Sequence, residues 1–153
     1  MEHKFIKTPE KRRMIEELNA KFGISELPYL LIESGKEKIR AFSGSLSKDE
    51  IIELAGLTKI EGVGIYFMKK ENDGLRLSFE AAQLLRSQIT KSILDIDDKQ
   101  LELWIRGHDL EIKTPQGVYA IRYKGDFLGC GKSNGEKIFN YVPKERRIKK
   151  PLI

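Results

Sequence analysis

The segment from Lys132 to Lys150 concentrates cationic side chains together with amides and aromatic rings. It has seven basic and two acidic residues, a net charge of +5, which equals the formal net charge of the whole chain of 153 residues. Cationic side chains neutralise phosphates, a tyrosine ring stacks on an unpaired base, and an asparagine amide can bond to a base edge. The candidate polyanion contacts are Lys132, Lys137, Asn140, Tyr141, Lys144, Arg146 and Arg147. The alternative is a solvated basic tail whose Ile138 and Val142 pack inward.

A nucleotide-binding loop is a second interpretation of this region. Gly131-Lys132-Ser133 matches the end of the pattern Gly-x-x-x-x-Gly-Lys-Ser/Thr, which requires a strand before it and a helix after it. The upstream glycine is Gly125, one position too early, and Asn134-Gly135 indicates a hairpin turn in place of the helix. We therefore expect no nucleotide hydrolysis. Gly129 and Gly131 are instead typical of a strand that bends or admits another backbone.

Cys130 and His108 are the side chains on which a small enzyme would depend. Cys130 has an apolar strand context, and no sequence feature ties it to the base that thiolate formation needs, so a buried structural thiol is favoured. His108 follows a helix-ending Gly107, where a structural role and RNA contact are equally favoured. One cysteine and two distant histidines argue against a zinc site, and we expect no cofactor.

Composition sets the class of protein. With 40% apolar and 33% charged residues the chain can form a folded core. No apolar run approaches the roughly 20 residues that span a bilayer, and the N-terminus lacks the apolar core of a signal peptide. A single cysteine excludes an intramolecular disulfide and suits a reducing compartment. We therefore expect a cytoplasmic protein with no membrane partner.

The elements that must position these residues begin with a helix. Thr8 is a candidate N-cap, Pro9 occupies the first helical position, and Gly23 follows the last turn. The apolar positions that recur at helical spacing are Met14, Ile15, Leu18 and Phe22. The next elements are predicted as strands over 29–33 and 38–42, a helix over 47–54 and a strand over 61–69.

A turn signal at 72–74 is the predicted boundary between two domains, residues 1–74 and 75–153. After it, Ser78 and Asp97 are predicted to begin two short helices, with Trp104 in the core. Strands predicted over 109–113, 118–124, 126–132 and 136–142 alternate in a way that suits a small barrel. The predicted fold class is α+β: an N-terminal α+β domain, followed by a small mixed β-barrel with short helices.

Three short patterns follow one another in the C-terminal half. They are Arg106-Gly-x-Asp-Leu110, Leu128-Gly-x-Gly-Lys132 and Asn140-x-x-Pro-Lys-x-x-Arg147. In this order and spacing, the region 76–150 resembles the C-terminal PUA-like module of the Nop/Sun-type rRNA cytosine-5 methyltransferases, especially the RsmF type. The N-terminal half is similar, more loosely, to the pre-PUA portion of that family and to the two-domain Nip-type ribosome-biogenesis factors.

The resemblance implies a PUA-like barrel and RNA contact for Lys132, Asn140, Lys144 and Arg147. The family has a lysine before the tail asparagine, whereas Phe139 stands here, which removes one expected phosphate contact. The methyltransferases also have a large domain that binds S-adenosylmethionine and supplies the catalytic cysteines. A chain of 153 residues that is mostly pre-PUA and PUA leaves no room for that domain. The resemblance thus predicts RNA binding without methyl transfer.

We predict a non-catalytic RNA-binding protein that recognises structured rRNA or tRNA in RNA modification or ribosome biogenesis. The lysines and arginines of the basic segment would contact phosphates, while Asn140 and Tyr141 would add selectivity at an unpaired base. A separately encoded RNA methyltransferase or a pre-ribosomal particle is the expected partner besides RNA. The alternatives are a protein–protein adaptor of an RNA-modification complex and a small enzyme based on Cys130 and His108.

Overall fold

Two sheets and three helices make up the described part of the chain. A computed structural model describes residues 3–35, 37–42, 65–72 and 74–142. The elements in chain order are β1 (His3–Phe5), α1 (Thr8–Phe22), β2 (Leu30–Ser34), β3 (Lys38–Phe42), β4 (Ile65–Glu71), β5 (Gly74–Leu77), α2 (Phe79–Leu84), β6 (Ile93–Asp95), α3 (Asp98–Ile105), β7 (Gly117–Tyr123), β8 (Asp126–Ser133) and β9 (Ile138–Asn140). The first five strands form an antiparallel sheet in chain order. The last four form a second sheet in which β6 and β7 are parallel.

The first helix confirms its prediction closely. It begins at Thr8, with Lys7 rather than Thr8 as the N-cap, and it ends at Gly23, whose φ of 87° is left-handed and costs a glycine little. Its buried stripe of Met14, Leu18 and Phe22 joins the core, because residues three and four apart share one helix face. Within the described residues, no helix is long and apolar enough to cross a membrane.

Two hydrophobic clusters cover the second sheet on its two faces. The larger combines α1, the first sheet and α2 with one face of β7 and β8, and it includes Leu18, Phe22, Phe67, Met68, Ala81, Ala120 and Cys130. The smaller lies beneath α3 and contains Ile96, Trp104, Leu110, Ile121, Ile138 and Val142. The second sheet is therefore the central layer of the described structure.

The predicted domain boundary coincides with a hairpin turn. Glu71 pairs with Gly74, so the first sheet continues past residue 74 through Leu77 of β5. The larger cluster also takes side chains from both sides of that position. The division into residues 1–74 and 75–153 stays a prediction about independent folding.

The prediction of a strand over 109–113 was wrong. Only Leu110 makes a bridge there, to Ile138, because the Ile112 amide donates back to the Leu110 carbonyl and turns the chain away. Strands β1, β5 and β6 were not predicted, since three or four residues are too few for alternation to show. The predicted barrel is not confirmed, because no described pairing closes β9 onto β6. The helix predicted over 47–54 and the start of the strand predicted over 61–69 lie outside the described residues.

The two glycines of the Leu-Gly-x-Gly-Lys pattern serve different purposes: Gly129 has a left-handed backbone conformation, and Gly131 admits close neighbours. A Cβ on Gly129, whose φ is 84°, would lie 3.5 Å from the Phe79 backbone of α2. A Cβ on Gly131 would lie 2.9 Å from the Trp104 ring. Trp104 is fully buried, and its indole Nε1 donates to the Leu128 carbonyl at 2.8 Å. The prediction of a core tryptophan is confirmed, and the predicted close approach is confirmed at Gly131.

We expect Gly131→Ala to lower the free energy of unfolding by about 1–3 kcal/mol, the usual cost of overpacking. The added methyl carbon would lie 2.4 Å from Ile138 Cγ2 as well as against Trp104, and both neighbours are themselves packed. Urea denaturation followed by tryptophan fluorescence measures the change.

Gly125→Ala is the control, because its φ is 88° but no described atom lies within 4 Å of the new Cβ. This variant isolates backbone strain, with an expected cost of about 1–2 kcal/mol. Wild-type stability of Gly131→Ala would contradict overpacking at this position, since it would mean that the Trp104 ring and Ile138 move aside freely.

Candidate nucleic-acid interface

The predicted contacts that the structure describes lie on β8, β9 and the residues around them. Lys132 pairs directly with Phe139, so these two side chains share the face of the sheet opposite to Ile138. Lys137 lies in the connection between the two strands, and Tyr141 follows β9. Lys144, Arg146 and Arg147 lie outside the described residues. Their predicted contacts with RNA stay predictions.

Lys137 is held by two weak contacts. Its Nζ lies 3.6 Å from Asp109 Oδ2 and 4.9 Å from the centroid of the Phe139 ring. The side chains of Lys137 and Asp109 are 39% and 40% exposed, so water screens the ion pair and it contributes little stability. Phe139, which stands where the resembled family has a lysine, therefore lies under the ammonium of Lys137. The ammonium can leave Asp109 for a phosphate at small cost.

The turn that carries Lys137 is ordered by short polar side chains. Asn134 Oδ1 accepts from the amides of Glu136 and Lys137, both at 2.9 Å. Ser133 Oγ accepts from the Gly135 amide at 3.0 Å and donates to the Thr114 carbonyl at 2.9 Å. Because Ser133 is buried and its hydroxyl is used within the fold, it is not placed to hold a nucleotide phosphate. The expectation against a nucleotide-binding loop agrees with this geometry.

Asn140 uses its side chain to join β9 to the end of α3. Its Nδ2 donates to the Trp104 carbonyl at 2.7 Å and to the His108 carbonyl at 2.9 Å. Its Oδ1 accepts from the Val142 amide at 2.7 Å, and its own amide donates to Asp109 Oδ1 at 2.8 Å. An RNA base would have to break these bonds to reach the amide. The predicted contact between Asn140 and RNA stays a prediction, with a structural role now established beside it.

Tyr141 contacts the first sheet. The guanidinium of Arg76, on β5, lies 3.8 Å from the centroid of its ring. Arg76 is itself buried and binds Glu71 through Nε at 3.0 Å and Nη2 at 2.9 Å. One face of the Tyr141 ring is thus occupied within the protein. Base stacking on Tyr141 stays a prediction.

Cys130 and His108 have structural positions. Burial raises the pKa of the Cys130 thiol to about 12, so it stays protonated at neutral pH and is a poor nucleophile. The His108 amide donates to the Leu103 carbonyl and the Gly107 amide to the Trp104 carbonyl, which together end α3 in a Schellman motif. The prediction of a buried structural cysteine is confirmed. The described residues contain no group of three or more His, Cys, Asp or Glu that could hold a metal ion.

Sequence reasoning missed a second group of cations on the first sheet, in which Lys38 is exposed, Lys69 is half-buried and Arg76 is buried. Lys38, Lys69 and Arg76 lie on neighbouring strands at directly paired positions. These residues are separated by up to 38 positions in the sequence, and no local charge run marks them. A signal that identified the register of β3, β4 and β5 would have revealed the group, but that register depends on the fold.

Comparisons with known proteins agree with this geometry. Residues 91–148 match the family described as the methyltransferase RsmF PUA domain. Ribosomal RNA small subunit methyltransferase F of Vibrio vulnificus is 30% identical over 93 residues, which cover 60% of this chain and 20% of that protein. The same enzyme of Aeromonas salmonicida is 25% identical over 138 residues, which cover 89% of this chain and 28% of that one. The chain thus spans less than a third of the length of these relatives.

A solved structure shares the fold over nearly the whole chain. The conserved PUA domain protein from Thermoplasma acidophilum superposes with a TM-score of 0.61, covering 92% of this chain and 93% of that chain at 14% identity. Identity this low shows the fold alone, whereas the match over residues 91–148 shows the relationship in sequence. The chain therefore contains a segment that matches the RsmF PUA domain, and it resembles the C-terminal region of the RsmF-type rRNA methyltransferases.

Proposed function

We propose that this protein binds structured RNA, either rRNA or tRNA, and takes part in RNA modification or ribosome biogenesis without catalysing a reaction itself. The observation that carries the proposal is the match to the RsmF PUA domain over residues 91–148, because that segment includes five of the seven basic residues found between Lys132 and Lys150. The named relatives are ribosomal RNA methyltransferases, which makes rRNA the first candidate.

The mechanism is recognition of phosphates by cations on an ordered strand edge. Lys137 exchanges its weak pairing with Asp109 for a phosphate, while the Phe139 ring keeps the ammonium near the strand. Lys132 lies beside Phe139 on the same face and extends the contact along β8. The remaining cations, Lys144, Arg146 and Arg147, continue the positive charge towards the C-terminus. Each phosphate contact releases counterions, which supplies affinity that falls with salt.

The expected partner besides RNA is a separately encoded RNA methyltransferase or a pre-ribosomal particle, and the expected location is the cytoplasm. A PUA domain that positions RNA for an enzyme on another chain needs no catalytic residue of its own. The buried thiol of Cys130 and the structural position of His108 support this division of labour.

We expect the affinity for small-subunit rRNA fragments or total tRNA to fall steeply with salt, with a log–log slope of about 0.7–0.9 per phosphate contact. The double variant Arg146→Ala/Arg147→Ala should flatten this slope by about one to two units. Fluorescence anisotropy over a series of salt concentrations measures it. No binding of either RNA at low salt would refute the proposal and favour the adaptor.

Lys99→Ala/Lys124→Ala is the matched control, because it removes the same charge outside the segment from Lys132 to Lys150. Lys124 lies in the turn between β7 and β8, and Lys99 lies on α3 beside Asp98, which accepts a hydrogen bond from Tyr123. We expect this control to keep the wild-type slope. If both double variants flattened the salt slope equally, RNA binding would depend on net charge alone and not on a particular surface.

We expect Asn140→Ala to act on stability and not on RNA binding. The change removes one bond to the Trp104 carbonyl of α3 and one to the His108 carbonyl just after that helix, and the free energy of unfolding should fall by about 1–3 kcal/mol. The salt slope of RNA affinity, measured at a temperature where the variant is folded, should remain that of wild type. A flatter slope with unchanged stability would instead assign Asn140 to the RNA contacts.

A further inference from the structure

Three cations lie in a row across the first sheet. Lys38 of β3 pairs directly with Lys69 of β4, and Lys69 pairs directly with Arg76 of β5. Directly opposite residues of antiparallel strands project to the same face with their Cβ atoms about 5 Å apart. We call Lys38, Lys69 and Arg76 the cation row.

The cation row lies on the face of the sheet that turns away from α1. The alternate positions Ile39, Met68 and Leu77 are buried in the larger cluster with α1. A bulge in β4 places both Phe67 and Met68 opposite Ile39, and both are buried. The same bulge brings Tyr66 opposite Arg40, so a fourth cation and an aromatic ring lie beside the cation row.

The charge of this face is not balanced by the described residues. Like charges directly opposite on a sheet are destabilising, yet the cation row contains two such pairs. Arg76 binds Glu71, but no carboxylate in the described ranges forms an ion pair with Lys38 or Lys69. Lys38 is exposed, with its ammonium 5.9 Å from the centroid of the Tyr66 ring, and Lys69 is half-buried. Among the described residues no ion pair relieves the repulsion between Lys38 and Lys69, and a bound anion would relieve it.

The cation row leads to the C-terminal basic segment. Arg76, at its end, stacks on the ring of Tyr141, and Tyr141 lies three positions before Lys144. The connection joins the first sheet to the strand β9 that bears the predicted RNA contacts. The contact between Arg76 and Tyr141 therefore places the cation row next to the residue that follows β9.

We propose that the outer face of the first sheet is a second phosphate-binding surface for the same RNA, in which Lys38 and Lys69 contact the RNA backbone. The inference rests on the proposed function and assigns a role in RNA binding to the N-terminal half. RNA fits this face better than an acidic protein does. The reason is that the cation row reaches Tyr141, the residue that follows β9. Aromatic rings, those of Tyr66 and Tyr141, also accompany the cations.

The test is the double variant Lys38→Gln/Lys69→Gln in the full chain, measured with small-subunit rRNA fragments. The salt slope should flatten by about 1.4–1.8 units, the loss of two phosphate contacts. The midpoint of urea denaturation should stay equal or rise, because repulsion within the row is removed. Lys38→Arg/Lys69→Arg should keep the wild-type slope, and Lys99→Gln/Lys124→Gln serves as the control for net charge.

Steep salt dependence in the wild type together with an unchanged slope in Lys38→Gln/Lys69→Gln would overturn the second surface and leave the proposed function standing. A flattened slope in Lys38→Arg/Lys69→Arg would also overturn the second surface. The loss of slope would then follow from a change of structure and not from a loss of charge. Dependence on Lys38 and Lys69 for polyglutamate binding but not for RNA would assign the face to an acidic protein. A wild-type protein that binds no RNA at low salt would overturn both proposals.

Discussion

The packing of Trp104 against Gly131 is the contact on which the arrangement of the C-terminal half depends. The indole occupies the space that a side chain at position 131 would need, and its Nε1 donates to the Leu128 carbonyl of the same strand, β8. The carbonyl of Trp104 in turn accepts from Asn140, which attaches β9 to the end of α3. One buried ring thus aligns the helix with the two strands that carry the candidate RNA contacts.

The structure distinguishes candidate RNA contacts that are bonded within the fold from those that are weakly held. Asn140 and Tyr141 stand among the cations of the basic segment, yet both are engaged within the fold, one with α3 and the other with Arg76. Lys137 differs from them because its partners are an exposed carboxylate and a ring, which hold it weakly. A polar side chain with several short bonds supports the fold, whereas a cation with one screened bond is available to a ligand.

Much of the local structure followed from local signals. Gly23 and the capping box of Asp97 and Gln100 mark helix ends whose hydrogen bonds are made within a few residues. Strands β7 and β8 were recognisable because they are long enough for alternation to show. The three-residue strands β1 and β6 were not, since their pairing with distant strands, and not their own composition, makes them strands. Leu110 forms a single bridge where a strand was predicted, because the Ile112 amide bonds back to the Leu110 carbonyl.

The sequence by itself determined the family resemblance, the glycine and tryptophan positions and the location of the charge surplus, because each depends on residue type and short spacing. Only the tertiary structure decided that Lys38, Lys69 and Arg76 form one row, and that Arg76 meets Tyr141. Strand register and the bulge at Phe67 set those neighbours, and register is chosen by burial of Ile39, Met68 and Leu77 on the opposite face. The surface charge pattern is thus a consequence of how the core packs.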